Sequence, residues 1–287
     1  MNNKVTPFFH QDSNTFSYIV ECLTTRHCAI IDPCADFDLF SGKLTFNSAE
    51  QILDFVTKNN LICDYILETH AHADHLSAAF WLKQKTNAKI GIGEGILEVQ
   101  KTFSSIFSLN DELQCDGSQF DCLWKDGQSF LVGELVFHVL STPGHTSDSV
   151  SYQVDEYTFV GDTLFVPARG TARCDFPGGS AEKLFDSVQK LFQLPDSTKL
   201  MLCHDYPEEG QTAVFETTVA EHKLENIHIN KDTSVEDFVA KRQKRDETLS
   251  VPKLLYPSVQ VNIRAGELPA ANKAGQIYLK IPVNRRN

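Results

Sequence analysis

Three histidines and two acidic residues lie within eight positions of the chain, in the stretch ETHAHADH (68–75). Burying so many titratable groups without partners is costly, so this stretch is either an accidental polar loop at the surface or a cation site. Alternate side chains of an extended loop point the same way, so His70 and His72 could share one metal ion. Asp74 and His75 could address a second position. Imidazole together with carboxylate suits zinc, iron or manganese.

Further residues of metal-binding type follow other apolar segments. VLSTPGH ends in His145, YTFVGD ends in Asp162 and KLMLCH ends in His204. Because neighbouring parallel strands deliver their carboxyl ends to one rim of a sheet, these side chains can converge. The Pro-Gly pair before His145 permits a sharp reversal that aims the imidazole inward. We interpret the other histidines as surface or hydrogen-bonded core residues: His10, His27, His138, His222 and His228.

The elements that must position these residues indicate an α/β architecture. Short β-type runs such as SYIVECL, HCAIIDP and CDYILET alternate with helical patterns. Apolar residues at helical spacing predict helices at 48–60, 76–87 and 180–194, the last with Ser180 as its N-cap. TKLMLCHD (198–205) is predicted to be the final buried strand. Strands interleaved with helices predict mixed sheets with helices on their faces.

The character of the chain changes after about residue 225. TSVEDFVAKRQKRDETLSVP (233–252) predicts a charged, capped helix, followed by Pro-spaced extended segments to Asn287. We expect 1–225 to form the main domain and 226–287 to be an extension packed on it, because no repeat or low-complexity linker separates them. The basic run of this helix is interpreted as a solvated face rather than an anion-binding patch: Lys241, Arg242, Lys244 and Arg245.

Composition argues against several classes of protein. The chain has 287 residues, a hydrophobic fraction of 41% and a formal net charge of −12. Phosphate binding needs clustered Lys and Arg, so nucleic acid is not expected as a partner. No segment approaches the ~20 apolar residues of a membrane span, so we expect no membrane association. The N-terminus resembles neither a secretory signal nor a transit peptide, and the eight cysteines include no CxxC pair. We therefore expect a cytoplasmic protein with reduced thiols.

The pattern H-x-H-x-D-H, followed by a distant His, Asp and His, resembles the metallo-β-lactamase superfamily. The resemblance implies an αβ/βα sandwich with a metal site at one edge of two facing sheets, and makes 1–225 the catalytic domain. All seven positions of the superfamily pattern are filled in this chain, which could therefore support a two-metal hydrolase: His70, His72, Asp74, His75, His145, Asp162 and His204.

A narrower resemblance runs from about residue 15 to residue 266. THAHADH, STPGHTSDSVSY, GDTLF, RCDFPGG, LCHDY and VNIRAG resemble the persulfide dioxygenases, relatives of the human ethylmalonic encephalopathy protein. The chain looks closest to a bacterial branch often called β-lactamase-like hydrolases. It departs from the family in having R-C-D-F at 173–176 instead of R-T-D-F. The spacing from Asp162 to Arg173 and the tail around 225–255 are also longer than in the human relative.

This resemblance implies an activity: oxidation of glutathione persulfide by O₂ and water to sulfite and glutathione, in sulfide detoxification. It implies one Fe(II) per subunit, held by His70, His145 and Asp162. Two histidines and one carboxylate on iron leave positions open for substrate and O₂. The remaining pattern residues would orient these ligands or form a second metal position: His72, Asp74, His75 and His204. Asp32 resembles an acidic residue that supports this fold.

Three residues are candidate substrate contacts. Arg173 and Tyr206 resemble the family's glutathione-contacting residues, and Thr146 could also line the pocket. Each has a structural alternative: Arg173 could pair with Asp175, Tyr206 could cap a strand end, and Thr146 could be only a turn residue. Cys174 could accept a persulfide, but we interpret it as a small buried packing residue.

A glyoxalase II-like thioester hydrolase with two Zn(II) ions is the alternative function, and it also takes a glutathione conjugate. Two metals would lower the pKa of a bridging water towards ~7. The later motifs match the dioxygenases better, and the hydrolase's own glutathione-binding segment is not found. The residues leave open whether the thiol carrier is glutathione, coenzyme A or a protein, while the resemblance suggests a homodimer.

Overall fold

The structure is a computed structural model that describes residues 2–283. Its helices are α1 (Asn47–Lys58), α2 (Ala79–Thr86), α3 (Ile96–Phe107), α4 (Ala181–Phe192), α5 (Val219–Glu225), α6 (Val235–Asp246) and α7 (Leu255–Asn262). Within the described range, none of these helices has the length and apolar character needed to cross a membrane.

The strands are short, and most have five residues or fewer. They are β1 (Asn3–His10), β2 (Thr15–Cys22), β3 (His27–Ile31), β4 (Cys34–Asp38), β5 (Lys43–Thr45), β6 (Ile62–Leu67), β7 (Leu76–Ser77), β8 (Lys89–Gly93), β9 (Cys122–Trp124), β10 (Ser129–Val132), β11 (Leu135–Ser141), β12 (Val150–Val154), β13 (Tyr157–Phe159), β14 (Lys199–Met201) and β15 (Glu216–Thr218). They form two six-stranded sheets, in the orders β1-β2-β3-β6-β8-β9 and β10-β11-β12-β13-β14-β15, and a small sheet β5-β4-β7.

Alternating side chains of the central strands enter different layers of the core, as the period of two in a strand requires. In β3, Cys28 and Ile30 pack with residues of α1, α2 and α3. Ala29 and Ile31 face the second sheet and pack with residues such as Phe137. Helices α4, α5 and α6 cover the outer face of that second sheet. The order helix, sheet, sheet, helix confirms the αβ/βα sandwich that the resemblance predicted.

The directions of the strands bring several carboxyl ends to one edge of the sandwich. β11 and β13 are both antiparallel to β12, and β14 is parallel to β13, so these three end on the same side. In the first sheet, β3 and β6 are parallel. The segments that follow β6, β11, β13 and β14 carry all the residues expected to bind metal, as the sequence predicts, and Asp32 follows β3.

For two predicted elements, the predicted bound agrees with the structure at one end and is wrong at the other. The helix predicted at 76–87 begins only at Ala79, because Leu76–Ser77 pairs with β4 as β7. The strand predicted at 198–205 covers only Lys199–Met201, and it is not the last, since β15 pairs beside it. In contrast, Ser180 caps α4 as predicted, and its hydroxyl accepts a hydrogen bond from the Lys183 amide.

The prediction of extended structure after residue 252 is wrong for α7. Pro257 lies in the first turn of this helix, where its missing N–H costs no helical hydrogen bond. Leu255 and Val259 are buried in the core beneath the first sheet, so the helix packs on the main domain. The end of the predicted extended segment, residues 284–287, lies outside the described range.

Candidate metal centre

Imidazole and carboxylate groups meet where the two sheets face each other at their common edge. Among the groups of three residues whose ligand atoms all lie within 4.8 Å of one another, two consist only of residues of the predicted pattern: His70 with His145 and Asp162, and His72 with Asp74 and His75. His204 joins the two groups, since its Nε2 lies 3.2 Å from Asp162 Oδ1 and 3.5 Å from Asp74 Oδ2. The structure therefore brings together all seven residues of the predicted pattern.

Four buried atoms of this cluster have no hydrogen-bond partner among residues 2–283. They are His70 Nε2, His72 Nδ1, His75 Nε2 and Asp162 Oδ1. Buried polar atoms nearly always have a hydrogen-bond partner, so four unpaired polar atoms at one place indicate a binding site for another group. Imidazole nitrogen and carboxylate oxygen are donors that divalent zinc, iron and manganese accept. The residues present therefore fit a divalent metal ion.

The opposite ring nitrogens of two histidines are engaged by backbone carbonyls. His145 Nδ1 donates to Arg173 O at 2.7 Å, and His204 Nδ1 donates to Asn14 O at 3.1 Å. Such an outer hydrogen bond fixes the tautomer and leaves Nε2 unprotonated towards the cluster. Both rings are therefore set to offer a lone pair to a metal.

The Asp32 carboxylate likewise fixes the orientation of histidines in the first part of the loop at 68–75. Its Oδ1 accepts hydrogen bonds from the Thr69 amide at 2.7 Å and from His72 Nε2 at 3.0 Å. Its Oδ2 accepts from the Thr69 hydroxyl, which lies 3.0 Å from His70 Nδ1. Burial alone would lower the pKa of His72, but Asp32 and Glu68 outweigh it and raise that pKa. Asp32 thus supports the site, in the role expected of it.

Two glycines permit the sharp turns that aim His145 and Asp162. Gly144 has φ +142°, and a Cβ there would lie 2.4 Å from the backbone of Leu184 in α4. Gly161 has φ +52°, and its Cβ would lie 2.6 Å from the Thr69 hydroxyl. Both the left-handed backbone and the close approach exclude a larger residue. The Pro-Gly-His and Gly-Asp sequences are therefore conditions for the geometry of the cluster.

The charges within the cluster are strongly coupled. Burial would raise the pKa of Asp162, but His204 and His70 hold it well below the usual range of a carboxyl group. Burial would lower the pKa of His204, but Asp162 and Asp74 raise it to about 9. Burial and His72 lower the pKa of His75 to about 4. Apart from any metal ion, these shifts favour ionised carboxylates, a protonated His204 and a neutral His75 at neutral pH. A metal ion bound at His204 Nε2 would displace the proton from that nitrogen.

Residue Asn262, at the end of α7, was not singled out by sequence reasoning. Its amide donates to the carbonyls of His72 at 2.8 Å and His75 at 2.9 Å, and its Oδ1 accepts from the Ser77 amide. It is buried, with 4% of its surface exposed. The extension therefore holds the metal-binding loop from outside. The signal available was its place in the VNIRAG motif.

The cluster lies at the inner end of a cavity of about 350 Å³. Arg173 and Tyr206 line this cavity, as predicted for substrate contacts. Tyr206 is 44% exposed and its ring stacks on His204, with centroids 6.0 Å apart and planes 15° apart. It is thus a wall of the cavity as well as the residue that follows a strand end.

Arg173 adopts the structural alternative considered for it. Its Nε and Nη2 donate to the two carboxylate oxygens of Asp175, both at 2.6 Å, and its Nη1 donates to Ser250 O at 2.7 Å. The guanidinium also lies over the ring of Phe176. Three of its hydrogen-bonding groups are used within the protein, so its placement does not support a direct contact with glutathione.

Thr146 and Cys174 do not face the cavity. The Thr146 hydroxyl lies 2.6 Å from that of Ser149, inside the turn that carries His145. Cys174 is buried, and burial raises the pKa of its thiol, so it stays protonated at neutral pH. The packing interpretation of Cys174 therefore agrees with the structure, and Thr146 is a turn residue.

The interpretation of the basic run in α6 as a solvated face is wrong for Arg242, while Lys241, Lys244 and Arg245 are exposed. Arg242 is buried, pairs with Asp246 at 2.7 Å and donates to Thr171 O at 3.0 Å. Arg242 and Arg245 both line the cavity, because α6 packs across its outer part. Among the five histidines set aside in the sequence, His228 also lines this cavity.

Comparisons with known proteins agree with this geometry. The profile of the Metallo-beta-lactamase superfamily matches residues 11–204. Glyoxylase B2 from Dictyostelium discoideum is 46% identical over 283 residues, which cover 98% of this chain and 97% of that protein. The mitochondrial persulfide dioxygenase ETHE1 from Bos taurus is 28% identical over 262 residues, which cover 90% of this chain and 87% of that protein.

A solved structure shows the same architecture. The crystal structure of ETHE1 from Myxococcus xanthus matches with a TM-score of 0.74 and 30% identity, over 92% of this chain and 100% of that chain. The likeness to persulfide dioxygenases seen in the motifs is thus a distant homology. The superfamily predicted from H-x-H-x-D-H is confirmed along most of the chain. This chain belongs to the metallo-beta-lactamase superfamily.

Proposed function

We propose that the protein is a persulfide dioxygenase with one Fe(II) per subunit, held by His70, His145 and Asp162. The supporting observation is that these three residues meet in one buried group and that His70 Nε2 and Asp162 Oδ1 lack partners among residues 2–283. When bound by two histidines and one carboxylate, Fe(II) supplies open positions for a persulfide sulfur and for O₂. The reaction proposed is the oxidation of glutathione persulfide with O₂ and water to sulfite and glutathione.

The protein's own residues would orient the ligands and limit access of water. Asp32 and Thr69 hold His70, and the carbonyl of Arg173 holds His145. Phe165 and Phe176 line the cavity beside the cluster and exclude water from it. Burial raises the pKa of Tyr206, so its phenol stays protonated and can donate a hydrogen bond to an anionic substrate.

The second candidate is a glyoxalase II-like hydrolase with two Zn(II) ions. The observation that favours it is the second group of ligand atoms, in which His72 Nδ1 and His75 Nε2 also lack partners within the described chain. The similarity to the Dictyostelium protein named glyoxylase B2 supports this reading. The similarities to ETHE1 from Bos taurus and Myxococcus xanthus support the dioxygenase.

Three further expectations stay predictions. They are a cytoplasmic location, a homodimer, and the division of the chain into a catalytic domain at 1–225 and an extension at 226–287. We also propose that nucleic acid and membranes are not partners, in line with the acidic composition.

Anaerobic reconstitution with Fe(II) or Zn(II) tests the proposal. We expect O₂ uptake and sulfite formation with glutathione persulfide in the iron protein, and neither in the zinc protein. The variants His145→Ala and His75→Ala form a matched pair, because each removes one buried imidazole. A dioxygenase should lose its iron in the first variant and should retain it with weaker affinity in the second. Hydrolysis of S-lactoylglutathione without O₂, at two metals per chain and abolished by both variants, would establish the hydrolase instead.

A further inference from the structure

The wall of the cavity above the metal cluster is rich in arginine. Its lining residues include two acids, Asp74 and Asp162, and both belong to the cluster itself. The whole chain carries a formal net charge of −12, so the arginine content of this wall contrasts with the acidic composition of the chain. Its positive charge comes from four arginines: Arg169, Arg173, Arg242 and Arg245.

Two of these arginines are neutralised by partners within the protein. Arg173 is held by both carboxylate oxygens of Asp175. Arg242 is held by Asp246, and both of these side chains are buried. A guanidinium paired in this way shapes the wall and carries little net charge towards a ligand.

The other two arginines have no carboxylate partner. Within residues 2–283, the arginines in ion pairs are Arg26, Arg173 and Arg242. Arg169 donates to the carbonyl of Tyr206 at 3.1 Å, and Arg245 donates to the hydroxyl of Thr248 at 3.3 Å. Both side chains are exposed and keep further N–H groups free, since a guanidinium has five.

Arg245 is held in place although it lies in the extension. Phe238, also in α6, is fully buried and its ring packs 5.8 Å from that of Phe185 in α4. Asp246, the neighbour of Arg245, accepts a hydrogen bond from the Cys174 amide at 2.9 Å. The end of α6 is thereby tied to the segment that carries Arg173. The backbone that carries Arg245 is therefore fixed beside the cavity wall.

We propose that Arg169 and Arg245 form an anion clamp at the outer end of the cavity. The clamp would select substrates whose thiol carrier bears carboxylates at a distance from the reacting sulfur. Guanidinium binds carboxylate through two parallel hydrogen bonds, and the net strength of a charged hydrogen bond corresponds to about tenfold or more in affinity. This inference rests on the proposed function only for the placement of the sulfur at the metal cluster. It makes α6 of the extension a specificity element.

Calorimetric titration of the Zn(II)-reconstituted protein with S-methylglutathione tests the clamp without turnover. Arg169→Gln and Arg245→Gln should each raise the Kd about tenfold or more. Lys244→Gln is the matched control, because Lys244 is exposed on the same helix and does not line the cavity, and it should stay within about twofold. The diethyl ester of S-methylglutathione should bind the unaltered protein weakly and respond to none of the three variants.

The outcomes separate this inference from the proposed function. Unchanged affinity in both arginine variants, or an ester that binds as well as the free acid, would overturn the clamp even if the iron protein consumes O₂. If the affinity depends on the two arginines but the iron protein shows no dioxygenase activity, the clamp would be supported and the proposed function would be rejected. S-methyl-coenzyme A is a second probe: if it binds more tightly than S-methylglutathione and needs both arginines, the clamp holds phosphate rather than carboxylate.

Discussion

The two ends of the cavity are built from different kinds of chain. At the inner end, buried side chains follow four strands of the two sheets, and backbone groups or Asp32 hold their outer atoms. At the outer end, exposed side chains such as Arg169 and Arg245 come from a loop and from α6 of the extension. Residues of both sheets therefore form the candidate metal position, whereas a loop and one helix form the wall above it. If the proposed clamp is correct, substrate preference can change at this wall without change to the candidate metal centre.

The largest effect is expected at the inner end, from His145→Ala. The change removes one of three ligand atoms from the buried group around Asp162. Loss of a direct ligand should exceed the 10- to 100-fold that removal of an outer partner typically costs in metal affinity or activity. Metal content after dialysis against a weak chelator measures the effect, and circular dichroism checks that the fold is kept. A variant that retains a full equivalent of iron would show that His145 is not a ligand.

The next effect tests whether the extension supports the inner end. Asn262→Ala leaves the carbonyls of His72 and His75 without their partner, which should cost roughly 1–3 kcal/mol of stability. Metal affinity should fall about 10- to 100-fold, because the loop loses its outer support. Chelator competition measures the affinity, and urea unfolding measures the stability.

Gln260→Ala is the control for that variant. Gln260 is also a buried amide of α7, but it donates to the carbonyls of Tyr256 and Lys280, away from the metal loop. Its loss should reduce stability and leave metal affinity unchanged. Equal losses of metal affinity in both variants would mean that α7 acts through general stability alone.

Sequence reasoning reached the inner end because its residues stand in short motifs directly after apolar strands. Strand direction then brings all seven pattern residues together, whereas the choice of His70, His145 and Asp162 as one ligand set came from the family resemblance. Loop alternation alone suggested that His70 and His72 share a metal, but the structure places them in different groups of ligand atoms. Strands of two or three residues, such as β5, β7 and β9, are too short to show a periodic pattern. The prolines in and before α7 favoured a prediction of extended structure for that helix.

The outer end could not be predicted in the same way. A run of basic residues on a helix is usually solvated, and only tertiary packing shows that α6 lies across a cavity. One signal was present: Phe238, Arg242 and Asp246 are spaced four residues apart, and all three are buried on one face. An apolar residue in line with an Arg–Asp pair at i,i+4 indicates a face that packs.

A smaller effect separates two roles for Arg173. Its guanidinium is engaged by Asp175 and Ser250, and its carbonyl, which no substitution removes, holds His145. Arg173→Ala should therefore leave iron content intact and raise the substrate concentration for half-saturation by no more than about fivefold, as expected for a partly exposed ion pair. Asp175→Ala should give the same change in a steady-state assay. A large increase in Arg173→Ala alone would show that Arg173 contacts the substrate directly.

The last test concerns the support of the outer end and its dependence on pH, and it is read in stability rather than in activity. His222 is buried, and its Nδ1 accepts a hydrogen bond from the Asn226 amide, which also donates to Gly170 O beside the cavity wall. Burial lowers the pKa of His222 to about 4, against ~6.5 in an unfolded chain. Between these values the unfolded chain binds a proton that the folded chain does not. The free energy of unfolding should therefore fall as the pH drops from 6.5 towards 4, by up to ~1.4 kcal/mol per pH unit from this group.

His222→Asn isolates this contribution, because the asparagine oxygen can replace Nδ1 as acceptor but does not titrate. The variant should be less stable at pH 7.5, because the asparagine side chain is smaller than the buried imidazole ring. Between pH 7.5 and pH 5 it should lose less stability than the unaltered protein does. The pKa of His228 is also lowered to about 4. Because His228 and the metal-binding groups titrate in both the unaltered protein and the variant, their contributions cancel when the two stability curves are compared. Urea unfolding at several pH values measures the difference. Parallel curves would mean that His222 is not held neutral, and that acid weakens the outer end through another group.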